Sequence, residues 1–396
     1  MMSITGNKWI LTTIVIAQFF CTSLWFAGNA IMPDLIKNLQ LSPGILANLT
    51  SAVQFGFITG TLVFAVLTIS DRFSPSGVFF GSAIIAGLFN LAMAMPNISF
   101  TGLLLFRFFT GFFLAGIYPI GMKIASDHYR QGLGKSLGFL VGALVVGTAF
   151  PHLLKSLSGG LPWRYVIFST TFLSAIGGLA MLLLVPDGPY RKAGLQLKAT
   201  AFLSGFRNTK FRSAAFGYFG HMWELYAFWA FVPIMLATYK NHYPQVKFDV
   251  SLLSFFVIAC GGLACVFSGL LSQKYGAKKI AGISLCLSGL CCIVSPFFLL
   301  NPSPVALIVF LFFWGLVVIA DSPLFSTLVA QAAPEHTRGT SLTIVNCIGF
   351  SITIISIQLV NILSAYLNAQ YIYLVLAAGP VLGLIALLGK ADFHTE

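Results

Sequence analysis

Two ionisable residues lie three positions apart in the apolar stretch FGHMWELYAFWAF, which occupies residues 219–231. At this spacing His221 and Glu224 share one face of a helix. An ionisable group inside a membrane costs roughly 2.5–3.5 kcal/mol, so it usually faces a cavity or a partner. Because burial disfavours the charged form of a carboxylate, Glu224 is suited to take up and release a proton. We predict Glu224 as a proton-coupling residue and His221 as its hydrogen-bond partner or relay. The alternative is a structural pair that stays hydrogen-bonded permanently.

Two further charged residues fall inside apolar segments. Arg107 cannot be deprotonated and therefore needs an anion or water. An anionic substrate, Glu224, or interfacial water reached by snorkelling would each satisfy it, and we predict a substrate-binding role. Asp321 lies beside Pro323, where freed carbonyl groups attract water. We predict that Asp321 is a gate or a coupling group, with a structural cap on a broken helix as the alternative.

Uncharged residues in the apolar segments complete the predicted substrate site. Most aromatic side chains in such segments pack against lipid or other helices, but an unpartnered amide in hydrocarbon is costly. The three amide residues, Asn29, Gln54 and Asn346, are therefore stronger candidates for lining a substrate cavity than the aromatic residues are. The candidates are Trp25, Asn29, Gln54, Tyr118, Tyr226, Trp229, Phe325 and Asn346.

The composition identifies the setting of these residues. The chain is 58% hydrophobic and 8% charged, with a mean hydropathy of +0.92, which is outside the range of soluble domains. A spanning helix needs roughly 20 apolar residues, and the apolar runs lack the alternation of a membrane β-strand. We predict an all-α membrane protein with twelve transmembrane spans. They cover residues 9–32, 45–69, 78–95, 102–125, 134–154, 165–185, 211–237, 252–271, 280–300, 305–330, 341–363 and 371–388.

The net charge of +12 is distributed unevenly across these spans. With a cytoplasmic N-terminus, sixteen of the 22 basic residues fall on the inner side, five on the outer side and one, Arg107, within a span. This asymmetry follows the positive-inside rule. It predicts a multi-pass protein of an inner membrane with both termini in the cytoplasm, and it explains the charge without a nucleic-acid partner. The first apolar run is too long for a cleavable signal, so we expect it to remain as the first span.

One long basic loop, PDGPYRKAGLQLKATAFLSGFRNTK, divides the chain into six and six spans. We predict an N-terminal six-helix bundle over residues 1–186, a cytoplasmic linker over 187–210 and a C-terminal six-helix bundle over 211–396.

The two halves repeat each other at an offset of slightly more than 200 residues. The offsets are 202, 204 and 205 residues, in the same order along both halves. This agreement indicates a duplication. The matched positions are Asp71-Arg72 with Gln273-Lys274, Gly111 with Gly315, Tyr118-Pro119 with Ser322-Pro323, and LGKSL from Leu133 with RGTSL from Arg338.

The repeated loops and the helix motifs resemble those of the major facilitator superfamily over nearly the whole chain. GLLSQKYGAKK from Gly269 is similar to the family's cytoplasmic loop signature, and Asp71 with Arg72 are its counterpart in the first half. RFFTGFFLAG from Arg107 is similar to the fourth-helix motif, and WRYVIF from Trp163 to the entry of the sixth helix. The fifth span lacks the Gly-Pro pair typical of drug/proton antiporters.

The resemblance implies two six-helix bundles related by pseudo-twofold symmetry, with a substrate cavity that opens alternately to either side. It also implies gating by the matched loop residues Asp71, Arg72, Gln273 and Lys274. A carboxylate such as Asp71 can accept hydrogen bonds from a neighbouring helix start; the alternative is a solvated turn residue.

The function that we expect is secondary active transport of a small polar or anionic solute, by proton symport. The alternatives are a proton-antiporting drug or metabolite exporter and a transporter-like solute sensor. The sequence contains no P-loop, metal-ligand cluster or nucleophile motif, so we expect no enzyme activity, cofactor or metal. The expected partners are a small-molecule substrate, protons and the lipid bilayer, and we expect a monomer.

Overall fold

A computed structural model of the chain describes residues 8–41, 44–129, 133–191, 205–333 and 338–389. Most of these residues are helical, and none of them lies in a β-strand. Twelve spans are present in the described ranges, as the apolar runs predict. Among the described residues, nine helices are long and apolar enough to cross a membrane by length and composition, and two shorter apolar helices occupy Trp9–Thr22 and Ile372–Leu388. The remaining span of the twelve is the seventh, Thr209–His242.

The spans have the following bounds, with an additional short helix, Ile69–Arg72, after the second. In chain order they are Lys8–Thr22 continued by Ala27–Ala30 and Met32–Leu39; Ile45–Val66; Pro75–Ala92; Phe100–Leu114 continued by Tyr118–His128; Leu133–Leu157; Arg164–Leu184; Thr209–His242; Val250–Tyr275; Ala277–Leu299; Pro304–Ala320 continued by Ser322–Ala332; Arg338–Leu363; and the 3-10 helix Ile372–Ala377 continued by Ala378–Leu388.

Three spans that the sequence predicts as continuous are broken. The fourth span stops at Leu114 and resumes at Tyr118, and the tenth stops at Ala320 and resumes at Ser322. In both cases a proline, Pro119 or Pro323, is the second residue of the new helix, where its missing N–H costs nothing. The two breaks fall at matched positions of the repeat. The first span is interrupted at residues 23–26, where no proline is present.

The chain forms two compact units. The first unit consists of Met1–Gly194 with Asp249–Gly262, and the second of Leu195–Phe248 with Leu263–Glu396. The two-bundle boundaries at residues 186 and 211 stay a prediction, because most of the linker lies at residues 192–204, outside the described ranges.

In the first unit, glycines let the second and fourth spans approach at backbone distance. A side chain at Gly111 would overlap the carbonyl group of Val53, and one at Gly56 would overlap the carbonyl group of Phe108. The third and sixth spans are joined by Asn90, whose amide donates to the hydroxyl groups of Thr170 and Thr171 at 3.1 Å each. These contacts join the second span to the fourth and the third span to the sixth.

The seventh span is the centre of the second unit. It runs without interruption for 34 residues, from Thr209 to His242, although Pro233 lies within it. A side chain at Gly220 would overlap the twelfth span at Gly379, and a side chain at Gly349 of the eleventh span would meet the ring of Tyr218. Because helices pack around it on several sides, the two ionisable residues near its middle, His221 and Glu224, lie in the interior of the unit.

Candidate functional site

A buried acid–base pair joins the seventh and tenth spans of the second unit. Nδ1 of His221 lies 2.7 Å from Oδ1 of Asp321, and both side chains are 1% exposed. Asp321 is the residue between the two helices of the broken tenth span, and its carbonyl oxygen accepts from the N–H groups of Leu324 and Phe325. Within the described ranges, Oδ2 of Asp321 and Nε2 of His221 have no hydrogen-bond partner. Each group therefore keeps one position for a proton or a ligand.

Glu224 lies one turn further along the seventh span and binds different neighbours. Its Oε1 accepts a hydrogen bond from Nε1 of Trp314 at 2.5 Å and one from Sγ of Cys292 at 3.2 Å. Trp314 is itself held by Phe228, with ring centroids 4.6 Å apart. The carboxylate is thus fixed by donors from the ninth and tenth spans.

The expectation that His221 is the hydrogen-bond partner of Glu224 is wrong. His221 pairs with Asp321, while Glu224 bonds Trp314 and Cys292. On a helix, three positions correspond to about 300° of rotation, so the two side chains point roughly 60° apart. That angle is enough to direct them to different neighbours.

One aromatic candidate, Phe325, lies beside the acid–base pair, and two others, Tyr226 and Trp229, contact each other in the interior of the second unit. Phe325 is fully buried, its ring lies 6.2 Å from the imidazole of His221, and a side chain at Gly217 would overlap it. The rings of Tyr226 and Trp229 lie 5.2 Å apart. Tyr226 also contacts Phe350 at 5.2 Å. These contacts give the second unit a buried wall of aromatic residues next to its ionisable groups.

Arg107 is fully buried in the first unit. Its Nη1 donates to the carbonyl oxygen of Leu24 at 3.0 Å, and its Nη2 donates to that of Trp25. Both carbonyl groups lie in the break of the first span, where helical hydrogen bonding is interrupted. The guanidinium is fully buried, which does not fit the snorkelling alternative, and Nε has no partner among the described residues. Gly28 lies beside Nε of Arg107: the Cβ atom of a larger residue there would be 3.3 Å from Nε.

The amide candidates of the first unit lie on the contact between the first and second spans. Asn29 donates to the hydroxyl group of Thr50 at 2.9 Å. Gln54 is one turn further along the second span, is fully buried, and neither atom of its amide has a partner within the described ranges. The ring of Trp25 lies 4.8 Å from that of Phe57. Asn29, Gln54, Trp25 and Arg107 therefore all adjoin the broken part of the first span.

Two of the substrate-site candidates are less buried. Tyr118 begins the second helix of the fourth span and is half-buried. Asn346 lies in the eleventh span and is also half-buried.

The loop residues with a predicted gating role lie near the ends of the second and eighth spans. Asp71 Oδ1 is 3.2 Å from Nζ of Lys123, in the fourth span, so Asp71 has a cationic partner within its own unit. Arg72 donates to the hydroxyl group of Thr68 at 3.2 Å. Gln273 and Lys274 are exposed, and the ammonium group of Lys274 lies 5.2 Å from the ring of Tyr275. Their gating role stays a prediction.

Four residues of the site were missed by sequence reasoning. Trp314 and Cys292 bond Glu224, and Lys123 pairs with Asp71, but no spacing in the sequence indicates these partners. Gln18 is different. It is a fully buried amide in the first span with no partner among the described residues. Gln54 was predicted because an unpartnered amide in hydrocarbon is costly, and the same argument would have predicted Gln18.

No cluster of three or more His, Cys, Asp or Glu side chains that could hold a metal ion occurs in the part of the chain that the structure describes.

Comparison with known proteins places this arrangement in a family. The family model described as Major Facilitator Superfamily matches residues 14–357 and 214–394. A protein named "Ascochitine biosynthesis cluster MFS transporter", from Didymella fabae, is 24% identical over 216 residues, which are 52% of this chain and 40% of that protein. The match therefore spans less than half the length of that relative.

Two solved structures have the same fold. The proton:xylose symporter XylE bound to 6-bromo-6-deoxy-D-glucose matches with a TM-score of 0.72 and 13% identity, covering 96% of this chain and 95% of that chain. A bacterial homolog of the human lysosomal transporter Spinster, in an inward-facing and unoccupied conformation, matches with a TM-score of 0.67 and 17% identity, covering 97% and 96%. The fold with twelve transmembrane helices is that of these transporters, and the chain belongs to the Major Facilitator Superfamily.

Proposed function

We propose that this transporter moves a small polar or anionic solute across a bacterial-type inner membrane by proton symport, with alternating access to the two sides. The observation that carries the proposal is the set of three ionisable side chains buried in the second unit, Glu224, His221 and Asp321, each at most 1% exposed. Keeping charges there is costly. We therefore propose that these groups are kept in the membrane because a buried carboxylate or imidazole can gain and lose a proton as access alternates between the two sides.

The proposed proton site is Glu224, with the His221–Asp321 pair as a second coupling group. Glu224 accepts from two donors on its Oε1, an arrangement that can hold the ionised form until a proton arrives. The His221–Asp321 pair lies at the break of the tenth span, so protonation there changes the charge at a point where the helix is interrupted. A similarly folded neighbour, XylE, is a proton:xylose symporter, which is compatible with such coupling.

The proposed substrate site includes the polar residues at the broken first span. Arg107, through Nε, and the amides of Gln54 and Asn29 offer donors to carboxylate, phosphate or hydroxyl groups. Within the second unit, Tyr226, Trp229, Phe325 and Asn346 are proposed separately as substrate-binding residues that offer apolar and amide surface. Trp25 and Tyr118 complete the set.

The proposed gate consists of Asp71, Arg72, Gln273 and Lys274. Asp71→Asn removes the ion pair with Lys123, and we expect it to shift the resting population toward the inward-open state. The measurement is labelling of a cysteine introduced at Gln18, in a variant whose seven native cysteines are replaced, by a membrane-impermeant maleimide from the cytoplasmic side. Asp34→Asn is the control, because Asp34 pairs with Lys155 rather than with Lys123; equal labelling of both variants would contradict the gating role.

The function is tested in two steps. A thermal-shift screen of the purified protein against carboxylates, phosphate esters, sugars and amino acids identifies compounds that bind, because a ligand of the folded state raises the melting temperature. Right-side-out vesicles with an inward proton gradient then measure movement of the compound that binds. Accumulation inside the vesicles, abolished by a protonophore, is the expected result. Uptake that does not respond to the proton gradient would contradict the symport proposal.

A second candidate function is export of a drug or metabolite in exchange for protons. The observation that favours it is the fungal relative, which is named as a transporter of a biosynthesis cluster. The same vesicles separate the two functions, because an inward proton gradient then drives the compound outward.

A further inference from the structure

Trp314 donates the shorter of the two hydrogen bonds that Glu224 accepts. Its Nε1 lies 2.5 Å from Oε1 of Glu224, and its side chain is fully buried. An indole N–H can donate but cannot accept, and a hydrogen bond to an ionised carboxylate is roughly twice as strong as one between neutral groups. This contact therefore stabilises the ionised carboxylate more than the protonated acid.

Three spans hold the indole ring of Trp314 in place. The ring packs against Phe228 of the seventh span, with centroids 4.6 Å apart, and against Phe310 of its own span at 5.5 Å. Phe310 in turn stacks on Phe298 of the ninth span, with centroids 4.3 Å apart and 3° between the ring planes. None of these rings offers an oxygen or nitrogen acceptor to the indole N–H, so the packing keeps the donor directed at Glu224.

Two polar side chains of the ninth span adjoin the same carboxylate, and both are weaker donors to it. Cys292 lies 3.2 Å from Oε1 of Glu224, but a thiol is a weak donor. Ser288 is also a neighbour of the carboxylate, but its hydroxyl group donates to the carbonyl oxygen of Leu285 at 3.1 Å. Trp314 is therefore the main donor to Glu224.

Few ionisable groups compete with the indole for influence on Glu224. Among the described residues they are Cys291 and Cys292 of the ninth span and Asp321 of the tenth. Thiols are neutral near pH 7, and Asp321 already faces His221. The stretch of the twelfth span that packs on the seventh contains no ionisable residue. Removing the indole N–H should therefore change proton binding by Glu224 more than removing any other uncharged neighbour.

We propose that Trp314 is a positioning residue for proton binding, whose N–H sets the pH at which Glu224 takes up its proton. The proposal rests on the proposed role of Glu224 as the proton site. When Glu224 is protonated, the bond from Trp314 weakens, and this bond joins the seventh span to the tenth, as the pair of His221 and Asp321 does. Proton uptake is thereby linked to the contact between these two spans.

The test follows the protonation of Glu224 in the purified full-length protein, with the proton as the only ligand. The infrared band of protonated carboxyl groups is recorded as the pH is varied, and the part that Glu224→Gln removes is assigned to Glu224. Trp314→Phe keeps a ring against Phe228 and Phe310 but lacks the donor. It should move the midpoint of this titration to higher pH by about one to two units, because a hydrogen bond to a charged group has an effect of that size.

The matched control is Trp223→Phe. Trp223 is adjacent to Glu224 in sequence, but its Nε1 donates to the uncharged carbonyl group of Val375 at 3.1 Å, so its replacement should leave the midpoint where it is in the wild type. An unchanged midpoint in Trp314→Phe, or a Glu224 band that does not respond to pH, overturns the proposal.

A second measurement applies even if Trp314→Phe does not fold. The tryptophan fluorescence of the wild type should change over the pH range in which the infrared band of Glu224 changes, because the acceptor of Trp314 turns from a carboxylate into a carboxylic acid. Glu224→Gln should abolish this change and Trp223→Phe should retain it; fluorescence that does not follow the protonation of Glu224 overturns the proposal. Neither measurement involves transport, so failure of the symport proposal appears separately, as uptake that ignores the proton gradient.

Discussion

Nδ1 of His221 lies 2.7 Å from Oδ1 of Asp321, and this contact connects the uninterrupted seventh span to the break in the tenth. Both side chains are buried, so neither can exchange its partner for water without a movement of the helices. We therefore expect a change in the protonation of the pair to alter the packing of the two spans.

The pair should behave as an energetic unit. Removing one member of a buried ion pair costs roughly 3–5 kcal/mol, because it leaves the other uncompensated. We therefore expect Asp321→Asn and His221→Gln each to lower the melting temperature strongly, and the double variant to lower it by less than the sum of the two. The measurement is a double-mutant cycle by thermal unfolding. Strictly additive effects would show that the two groups do not interact.

Glu224 should be required for coupling but not for binding. Glu224→Gln imitates the protonated acid and keeps a hydrogen-bond acceptor for Trp314. We expect it to abolish accumulation driven by a pH gradient while exchange of substrate across the membrane continues, measured in the same proteoliposomes.

The control for this variant is Asp34→Asn, which removes an acid whose ion pair with Lys155 is partly exposed. It should accumulate substrate as the wild type does. If Glu224→Gln still concentrates substrate under a proton gradient, Glu224 is not the coupling residue, and Asp321 is the next candidate.

Arg107 should stabilise the fold as well as the substrate site. Arg107→Ala removes two buried hydrogen bonds from a charged donor, each worth roughly 1.5–3 kcal/mol, and leaves the carbonyl groups of Leu24 and Trp25 without them. We expect a lower melting temperature of the substrate-free protein. Arg107→Lys should recover only part of the loss, because a single ammonium group cannot reproduce the guanidinium fork.

The comparison of stability with binding decides between two roles of this arginine. If Arg107→Ala binds substrate normally, the residue is structural and the substrate need not be anionic. If its melting temperature equals that of the wild type but binding is lost, the bonds to the first span are unimportant and the arginine serves the substrate.

The close approach of the second and fourth spans should not tolerate a methyl group. Gly111→Ala places a carbon against the backbone carbonyl group of Val53, which cannot move without the whole helix. We expect a marked drop in melting temperature and in the yield of folded protein. Gly138→Ala is the matched control, because a side chain there meets no atom within 4 Å, and it should stabilise the helix by about 0.4–1 kcal/mol. Equal stability of both variants would contradict this packing.

Much of the fold could be predicted from the sequence because the thickness of the bilayer sets the length of each span. The twelve apolar runs therefore correspond to twelve helical spans, and the prolines at 119 and 323 mark two of the breaks. The break in the first span could not be predicted, since residues 23–26 contain neither proline nor a pair of glycines. Its partner, Arg107, lies 82 and 83 residues away from the two carbonyl groups that it binds.

The members of the site were easier to predict than their contacts. The cost of burying charge selected Glu224, His221, Asp321 and Arg107 one residue at a time. Which of them touch depends on the direction in which each side chain leaves its helix. The roughly 60° between the side chains of His221 and Glu224 on the seventh span was enough to give them different neighbours. Trp314 is one of many aromatic residues in apolar runs, so nothing in the sequence indicated its hydrogen bond to Glu224.

The length of the seventh span has a consequence for the choice of lipid. From Ser213 to Tyr239, between its charged ends, the helix measures about 40 Å at 1.5 Å per residue, whereas the hydrocarbon core is about 30 Å thick. A helix longer than the membrane tilts or thickens the lipid around it. The helix that carries His221 and Glu224 is therefore subject to hydrophobic mismatch, and acyl-chain length becomes a variable that acts directly on the helix with the proposed proton site.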